Sequence, residues 1–541
     1  MTTVLRMFCV LVFVLTGLTT ASAATDNPLT QESFFQALSG KDTQQKQQAA
    51  TWLAANYPME TAQPILDAWL NGQLYYLKDR NHPQYQQLFI VADEQVGANA
   101  RHVWSDEQLA IENKRQFKKI RVNNTLRSFI RLEIAALGLN SDNVEIRKQS
   151  VQALTGQSEA QQKLIALKQT ETDAQVLALL DFALAINTAL DASAEDRLAA
   201  IDTISESTDP IVLVTLNQIL ASDTDATLLA ATQKGLDKYQ QSQRLYAGVE
   251  TLFFGLSLGS VLVLAGIGLA ITFGVMGVIN MAHGELIMLG AYTTYVMQQL
   301  LPQHTGLALI LSIPMAFVVS GLVGIAIERG VIRHLYGRPL ETLLATFGIS
   351  LILQQAVRSI FSPLNRSVST PDWMAGALEI NPMLSLTYNR LYIIVFCALV
   401  FIALVMVLKK TPLGLQVRAV SQNRPMARAM GIRSERVDAL TFGLGAGVAG
   451  VAGVALSQLT NVGPNMGQAY IIDSFMVVVF GGVGNLWGTL VAGLGLGLFN
   501  KILEPWAGAV LAKILVLVFI ILFIQKRPRG LFPQRGRAAE S

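Results

Sequence analysis

Nine apolar runs of spanning or near-spanning length, beginning near Leu252, Leu286, Gly306, Thr342, Leu391, Val437, Ile471, Leu486 and Trp506, fill the second half of this 541-residue chain. The run at 391–408 has no charged residue at all, and about 20 apolar residues are what a helix needs to cross the hydrocarbon core of a bilayer. Lipid offers no partner to a free N–H or C=O, so each crossing must be a helix that closes its own hydrogen bonds. The expected class is all-α, with a polytopic helical membrane domain of about 8–9 spans that includes discontinuous helices. The runs at Ile471 and Leu486 are short. Three short crossings, or one crossing and a re-entrant hairpin, both fit the end of the chain.

Three polar segments interrupt the apolar half, at 327–341, 409–436 and 526–537, and all are basic. Cytoplasmic loops carry the excess of Lys and Arg. Counting crossings from an N-terminus outside the cell agrees: three lead to 327–341, and two more pass through the outside segment 362–390 to reach 409–436. An odd number after the stretch near Asn461 then brings the basic tail inside.

At the N-terminus, Arg6, an apolar run at 7–18 and Ala21-Ser22-Ala23 read as a cleaved signal over residues 1–23. That run is too short for a span. Residues 24–245 are then a soluble helical domain in the periplasm, followed by the membrane domain at 246–541. The two cysteines, Cys9 in the signal and Cys397 in an apolar run, leave the exported domain without a disulfide. Amphipathic stretches at 143–154, 174–190, 194–204, 210–220 and 226–236 alternate with polar turns, while alternating β-branched runs and hairpin dipeptides are scarce. This domain is therefore expected to be helical throughout. RKQSVQAL (147–154) and RLAAIDTI (197–204) share an arginine and a terminal apolar residue, in the manner of a HEAT-like solenoid. A protein-docking surface and a spacer are both open as its role. His82 and His102 are isolated, and no metal spacing or nucleophile elbow occurs. No catalytic residue, metal or cofactor is expected. The net charge of +3 averages two unlike halves and says little about partners; no nucleic-acid partner is expected.

Two glycine-rich breaks interrupt the apolar half: GVMGVINMAHGE (274–285) and FGGVGNLWG (480–488). Irregular backbone at membrane depth persists only where protein buries it or a wet cavity adjoins it, so paired breaks point to a translocation path. Candidate path residues are Asn280, His283 and Glu285 in the first break, Gly481, Gly482 and Asn485 in the second, and Asn461 and Asp473 between them. A carboxylate at a helix centre in lipid costs about 2.5 to 3.5 kcal/mol, so Glu285 either caps the next helix or meets a polar solute. His283 and Glu285 stand two apart and would face different ways on a helix, which argues against a metal pair. The Gly/Ala clusters at 443–456 and 488–499 are expected to be helix contact faces.

The segment 409–436 carries seven basic residues and one acidic residue, interleaved with Val417, Val420, Met426, Ala427, Met430 and Ile432. A plain loop would be polar throughout. Such interleaving suits a short surface helix that docks on a cytoplasmic protein.

GLAITFGVMGVINMAHGE (268–285), TPLGLQVRAVSQNRPMARAMGI (411–432) and RPRGLFP (527–533) resemble the permeases of branched-chain amino acid type ABC importers, and the likeness runs from about residue 250 to 533. The resemblance implies that 409–436 is the coupling segment, seated on an ATPase through Arg418, Ala419, Asn423, Met426, Ala427, Met430 and Gly431. Within the family, INMAHGELIMLGAYTTYV (279–296), RPLETLLATFGISLILQQAVRSIFSPLNRSVSTPDWM (338–374) and SQLTNVGPNMGQAYIIDSFMVVVFGGVGNLWG (457–488) resemble the urea-transporting subgroup that carries a long exported extension. That likeness implies uptake of urea, or a close small amide, across a bacterial inner membrane. The implied partners are membrane lipid, a second homologous permease, two cytoplasmic ATPase subunits that bind the ATP, and a periplasmic substrate-binding protein. No G-x-x-x-x-G-K-[ST] occurs in the chain, so it has no Walker A phosphate cradle of its own. A branched-chain amino acid permease is the alternative, kept open by Glu285 and Asp473; a passive channel with a helical sensor domain is a further one.

Overall fold

A computed structural model describes residues 31–532, apart from positions 41, 81, 93–94, 106, 114 and 192–194. The signal expected at 1–23 and the end of the tail from residue 533 lie outside the described residues. The chain divides into two compact units, the first ending at Tyr239 and the second starting at Gln240.

The first unit opens with α1 (Gln31–Ser39), α2 (Thr43–Asn56) and α3 (Met59–Leu70), and Asp42 caps α2 by accepting from the Gln44 N–H at 2.9 Å. Five short strands follow: β1 (Leu74–Leu77), β2 (Leu88–Val91), β3 (Asn99–His102), β4 (Gln108–Ala110) and β5 (Phe117–Lys119). They form one antiparallel sheet in the order β4-β3-β2-β1-β5. The helical class holds for the chain, but the expectation of helices alone in this domain needs correction at residues 74–119. Strands of three or four residues are too short to display a period of two. Both sheet faces are also covered, which fills in the polar positions that alternation needs. Leu74 and Leu88 pack into a core with Phe34, Leu53, Leu66 and Trp69 from the helices, whereas Tyr75, Leu77, Phe89 and Val91 form a second core on the other face.

After α4 (Asn124–Gly138) come α5 (Val144–Leu154), α6 (Gln161–Thr170), α7 (Ala174–Leu190), α8 (Arg197–Ile204), α9 (Pro210–Ser222) and α10 (Ala226–Met276), the last shared between the units. The arginines of the two similar fragments do the same work. Arg147 donates to both Glu171 oxygens, at 2.6 and 2.9 Å, and Arg197 pairs with Asp223 at 2.6 Å. Two residues beyond each acid stands a cap: Asp173 accepts from Gln175 N at 2.9 Å, and Asp225 accepts from Thr227 N at 2.8 Å. Each repeat thus ties its first helix to the start of its last.

The second unit continues with α11 (His283–Leu300), α12 (Thr305–Gly330), α13 (Pro339–Phe361), the hairpin β6 (Ala377–Asn381) and β7 (Leu384–Thr387), α14 (Tyr388–Lys410), α15 (Pro412–Gln422), α16 (Arg424–Ala429), α17 (Ser434–Ser457), α18 (Met466–Gly481) and α19 (Leu486–Lys526). Among the described residues, six helices are long and apolar enough to cross a membrane: α10, α12, α13, α14, α17 and α19. The sequence's nine apolar runs all fall on helices, because α19 holds two of them. Gly508, at φ 76° and ψ 161°, breaks α19, and Phe499 meets Phe519 across the break with ring centroids 5.5 Å apart. The two halves therefore fold back on each other, an arrangement that both expected readings of the chain's end contain.

The axis of this unit is α17, which is buried along almost its whole length. Its glycines let neighbouring backbones touch: a Cβ on Gly290 of α11 would lie 2.0 Å from the Gly450 carbonyl oxygen. The second Gly/Ala cluster does the same for α19, where Gly497 abuts Gly259 of α10. Apolar side chains such as Leu344 and Ile352 on α13 or Val395, Leu399 and Met406 on α14 point outward, as lipid-facing residues do.

Segments expected on one side of the membrane meet. Arg366 and Val462 exchange backbone bonds of 2.7 and 2.8 Å, and the Gln298 side chain donates to the Ser369 carbonyl at 2.7 Å and accepts from the Ser369 N–H at 2.9 Å. At the other ends of these helices, Arg333 pairs with Glu435, joining the two basic segments.

Candidate functional site

Between α10 and α11 the chain leaves helical geometry at 277–282 and re-enters the bundle, so that His283 sits beside Ala265, about three turns before the end of α10. Its Nε2 lies 2.8 Å from the Ala265 carbonyl, which can only accept, so Nε2 carries the proton. Asn280 is buried and turns its Oδ1 to the Ala282 N–H at 3.0 Å. Glu285 is buried too, and its Oε1 accepts from Ser350 Oγ at 3.1 Å and from Gln354 Nε2 at 2.6 Å. Among the described residues the Glu285 carboxylate makes no capping bond to backbone.

Ser350 stands half-way along α13, and it belongs to a stripe that sequence reading passed over. Thr342, Thr346, Ser350 and Gln354 recur every fourth residue and all are buried, so they line one face of the helix. Thr346 Oγ1 accepts from the Met281 N–H at 3.2 Å and Arg358, one turn beyond Gln354, donates to Asn465 Oδ1 at 2.6 Å. The stripe was visible as Thr-x3-Thr-x3-Ser-x3-Gln inside an apolar run, a pattern that average hydropathy conceals.

Four buried polar atoms here have no hydrogen-bond partner among the described residues: Asn280 Nδ2, His283 Nδ1, Glu285 Oε2 and Tyr292 OH. Buried polar groups in native proteins are nearly always paired, and each exception calls for a reason. Leaving one unpaired costs about 1 to 3 kcal/mol. The set mixes donors and acceptors, and Glu285 has no ion-pair partner among the described residues.

The other candidates stand elsewhere. Gly467 of α18 lies against Glu285, where an added Cβ would come within 2.8 Å of Oε2. Gly481 and Gly482 are at the far end of that helix, about 21 Å away at 1.5 Å per residue. There the chain's tail docks: Leu531 N donates to Phe480 O at 2.9 Å and Phe532 N to Gly481 O at 3.2 Å. Gly482 needs its φ of 102° for this turn. Asn485 caps α19, its Oδ1 accepting from Trp487 N at 3.1 Å and Gly488 N at 3.2 Å, while its Nδ2 donates to Phe532 O at 3.3 Å. Asp473 faces Lys513 at 3.3 Å, and Asn461 is exposed. The first break therefore collects Asn280, His283 and Glu285, and the second collects Gly481, Gly482 and Asn485 at the tail.

The basic segment forms two short helices, α15 and α16. Thr411 and Asn423 begin them, with Asn423 Oδ1 accepting from the Met426 N–H at 3.0 Å. Arg418 donates to the Leu408 carbonyl at the end of α14 at 2.6 Å. Val417, Val420 and Ala427 turn inward onto Val437 of α17 and Val275 of α10, and Ala419 packs beside them. Outward go Leu415, Met426 and Met430, the last 77 % exposed, with Gly431 beside it. Arg424 fixes this pair of helices to the bundle: it donates to both Asp438 oxygens at 2.9 and 2.7 Å and stacks on Tyr336 at 4.1 Å from the ring centroid. Val275 stands one residue before the end of α10, so the surface helices rest on the helix end that leads into the unwound stretch with Asn280.

Comparison with known proteins agrees with this arrangement. Residues 251–524 match the family described as branched-chain amino acid transport system / permease component. The high-affinity branched-chain amino acid permease LivH of Escherichia coli is 30 % identical over 301 residues, covering 54 % of this chain and 97 % of that protein. BraD of Pseudomonas aeruginosa is 29 % identical over 296 residues, covering 53 % and 96 %. A ribose import permease of Bacillus subtilis is 33 % identical over 110 residues, covering 19 % of this chain and 34 % of that protein. No solved structure matches. With the family match spanning the whole bundle and six apolar helices long enough to cross a bilayer, the chain belongs to the branched-chain amino acid type family of ABC permeases and is a multi-pass membrane protein.

Proposed function

We propose that this chain is the permease subunit of an ATP-driven importer that moves urea, or a close small amide, from the periplasm to the cytoplasm. The observation that carries the substrate class is the buried, unpaired Oε2 of Glu285, which has no ion-pair partner among the described residues, on a stretch where Asn280 Nδ2, His283 Nδ1 and Tyr292 OH are unpaired too. Urea is small and neutral, and it both donates and accepts. Ser350 and Gln354 hold the carboxylate from one side, leaving Oε2 for an N–H donor of the solute.

In this reading ATP is bound and hydrolysed on two cytoplasmic subunits, which seat on Leu415, Met426 and Met430. Their closure moves α15 and α16. The Arg424–Asp438 clamp passes that motion to α17, and the contact with Val275 passes it to α10 and the unwound stretch 277–282. A second homologous permease covers part of the outward apolar surface, a periplasmic binding protein delivers the solute, and residues 24–245 lie in the periplasm. Path residues are then Asn280, His283 and Glu285 together with Ser350 and Gln354.

A second reading, import of branched-chain amino acids, rests on Glu285 as a counter-charge for an ammonium group and on what LivH and BraD are named for. A strain lacking the chain separates the two. Loss of labelled urea uptake at low external concentration with leucine uptake kept is the expected result, and intact urea uptake rejects the leading reading.

A further inference from the structure

Beside the surface helices, a cleft of about 590 Å³ opens between the end of α12 and the start of α17. Five arginines line it, Arg329, Arg333, Arg428, Arg433 and Arg436, against a single carboxylate, Glu435. That carboxylate is taken by Arg333, and Arg428 Nε is held by Ser434 Oγ at 2.7 Å. The side chains of Arg329, Arg433 and Arg436 make no hydrogen bond or ion pair among the described residues. Three guanidinium groups thus face one cleft uncommitted, although their mutual repulsion opposes gathering them there.

The same cleft receives the N-terminus of α17, a helix of 24 residues whose first turn has no side-chain cap. Arg436 N and Val437 N both bond to the Arg433 carbonyl, whereas the N–H groups of Ser434 and Glu435 have no acceptor among the described residues. An uncapped helix start carries about half a positive elementary charge, and free N–H groups at such an end suit an anion. Guanidinium forks match phosphate oxygens two at a time.

We propose that this cleft is a binding site for a phosphate-class anion, either the headgroup of an anionic phospholipid or free phosphate. It adjoins the outward face of Leu415, Met426 and Met430 at Gly431 but holds none of those three residues, and it does not depend on which solute is transported. An anion seated there would neutralise the three arginines and hold α12 to the segment 428–436, bracing the surface helices in addition to the Arg424 clamp.

The test uses the full-length protein in neutral detergent, with binding of sodium phosphate followed by calorimetry and retention of phosphatidylglycerol against phosphatidylcholine followed by native mass spectrometry. The variant R329Q/R433Q/R436Q removes only uncommitted guanidiniums, and K409Q/K410Q removes charge from the same basic segment outside the cleft. R329K/R433K/R436K keeps charge but not the forks. Binding of one or both probes should fall at least about tenfold in the glutamine variant, less in the lysine variant, and by under about twofold in the control. Phosphate binding that phosphatidylglycerol does not displace identifies a soluble anion, and phosphatidylglycerol retention that phosphate does not displace identifies a headgroup. No binding to the wild type, equal binding in the glutamine variant, or an equal fall in the control overturns the proposal. So does a glutamine variant that keeps both probes and loses only its association with the ATPase subunits, because the cleft is then a protein contact.

Discussion

Replacing Arg424 with Met should uncouple the surface helices from the bundle. Asp438 is only 4 % exposed, and Arg424 supplies both of its hydrogen bonds at 2.7 and 2.9 Å. Breaking a buried pair from one side costs about 3 to 5 kcal/mol, and the stacking on Tyr336 adds about 0.5 to 1 kcal/mol. Arg424 itself is 23 % exposed, so water reaches one side of the pair. The lower figure, about 3 kcal/mol, is therefore expected, which is a factor of roughly 100 in the equilibrium constant for docking α15 and α16. The assay is the assembled transporter in lipid nanodiscs and proteoliposomes, with melting, ATP hydrolysis and solute uptake measured together. R424M should keep ATP hydrolysis on the partner subunits while uptake falls at least about tenfold. D438N alone should do the same, and R424M/D438N should cost clearly less than the two single changes added, since neither charge is then stranded. Uptake within about twofold of wild type in R424M, or strict additivity in the double variant, would refute the clamp.

Glu285→Ala strands the Ser350 and Gln354 donors, at about 1 to 3 kcal/mol each, and should cut uptake at least about tenfold. Glu285→Gln should keep part of urea uptake, whereas an ammonium-binding site would lose its counter-charge and fail; labelled uptake by the two variants decides. Gly290→Ala sets a Cβ 2.0 Å from the Gly450 carbonyl and should prevent correct folding, seen as aggregation on size exclusion, while Gly348→Ala, with nothing within 4 Å, should be neutral or mildly stabilising. In the first unit, hydrogen bonds from Arg147 hold the Glu171 carboxyl down to about 2, from an ordinary 4.5. A pKa depressed on folding stabilises above the ordinary value and is lost as pH falls through the folded one. Melting of the full-length protein should therefore weaken between about pH 4.5 and pH 2, and R147M should flatten that slope.

The membrane helices were legible because lipid imposes one solution on an apolar run: the chain must close its own hydrogen bonds over a fixed thickness. Even the hairpin in α19 was present as two runs, at Leu486 and Trp506. The sheet at residues 74–119 was not legible, since LYYL and LFIV bury both faces and show no alternation. For the site, the glycine-rich signature pointed to both breaks alike, and only contacts distinguish them. His283 and Glu285 turn into the bundle against α10 and α13, whereas Asn485 caps a helix and holds the tail. The partner of Glu285 was hidden in a different run, where one polar residue in four is diluted by its apolar neighbours. In the basic segment the interleaved apolar residues read as one docking set, whereas Met426 and Met430 point outward and Val417, Val420 and Ala427 pack inward. Arg424 gave no sign of its partner because Asp438 lies in the next helix.

Transport in a defined system tests the central claim most directly. The chain would be reconstituted in proteoliposomes with its partner permease, ATPase subunits and binding protein, and accumulation of labelled urea and labelled leucine followed with and without ATP. ATP-dependent accumulation of urea, abolished by E285A, is the predicted result. Accumulation of leucine in place of urea, or urea movement that ignores ATP, would contradict it.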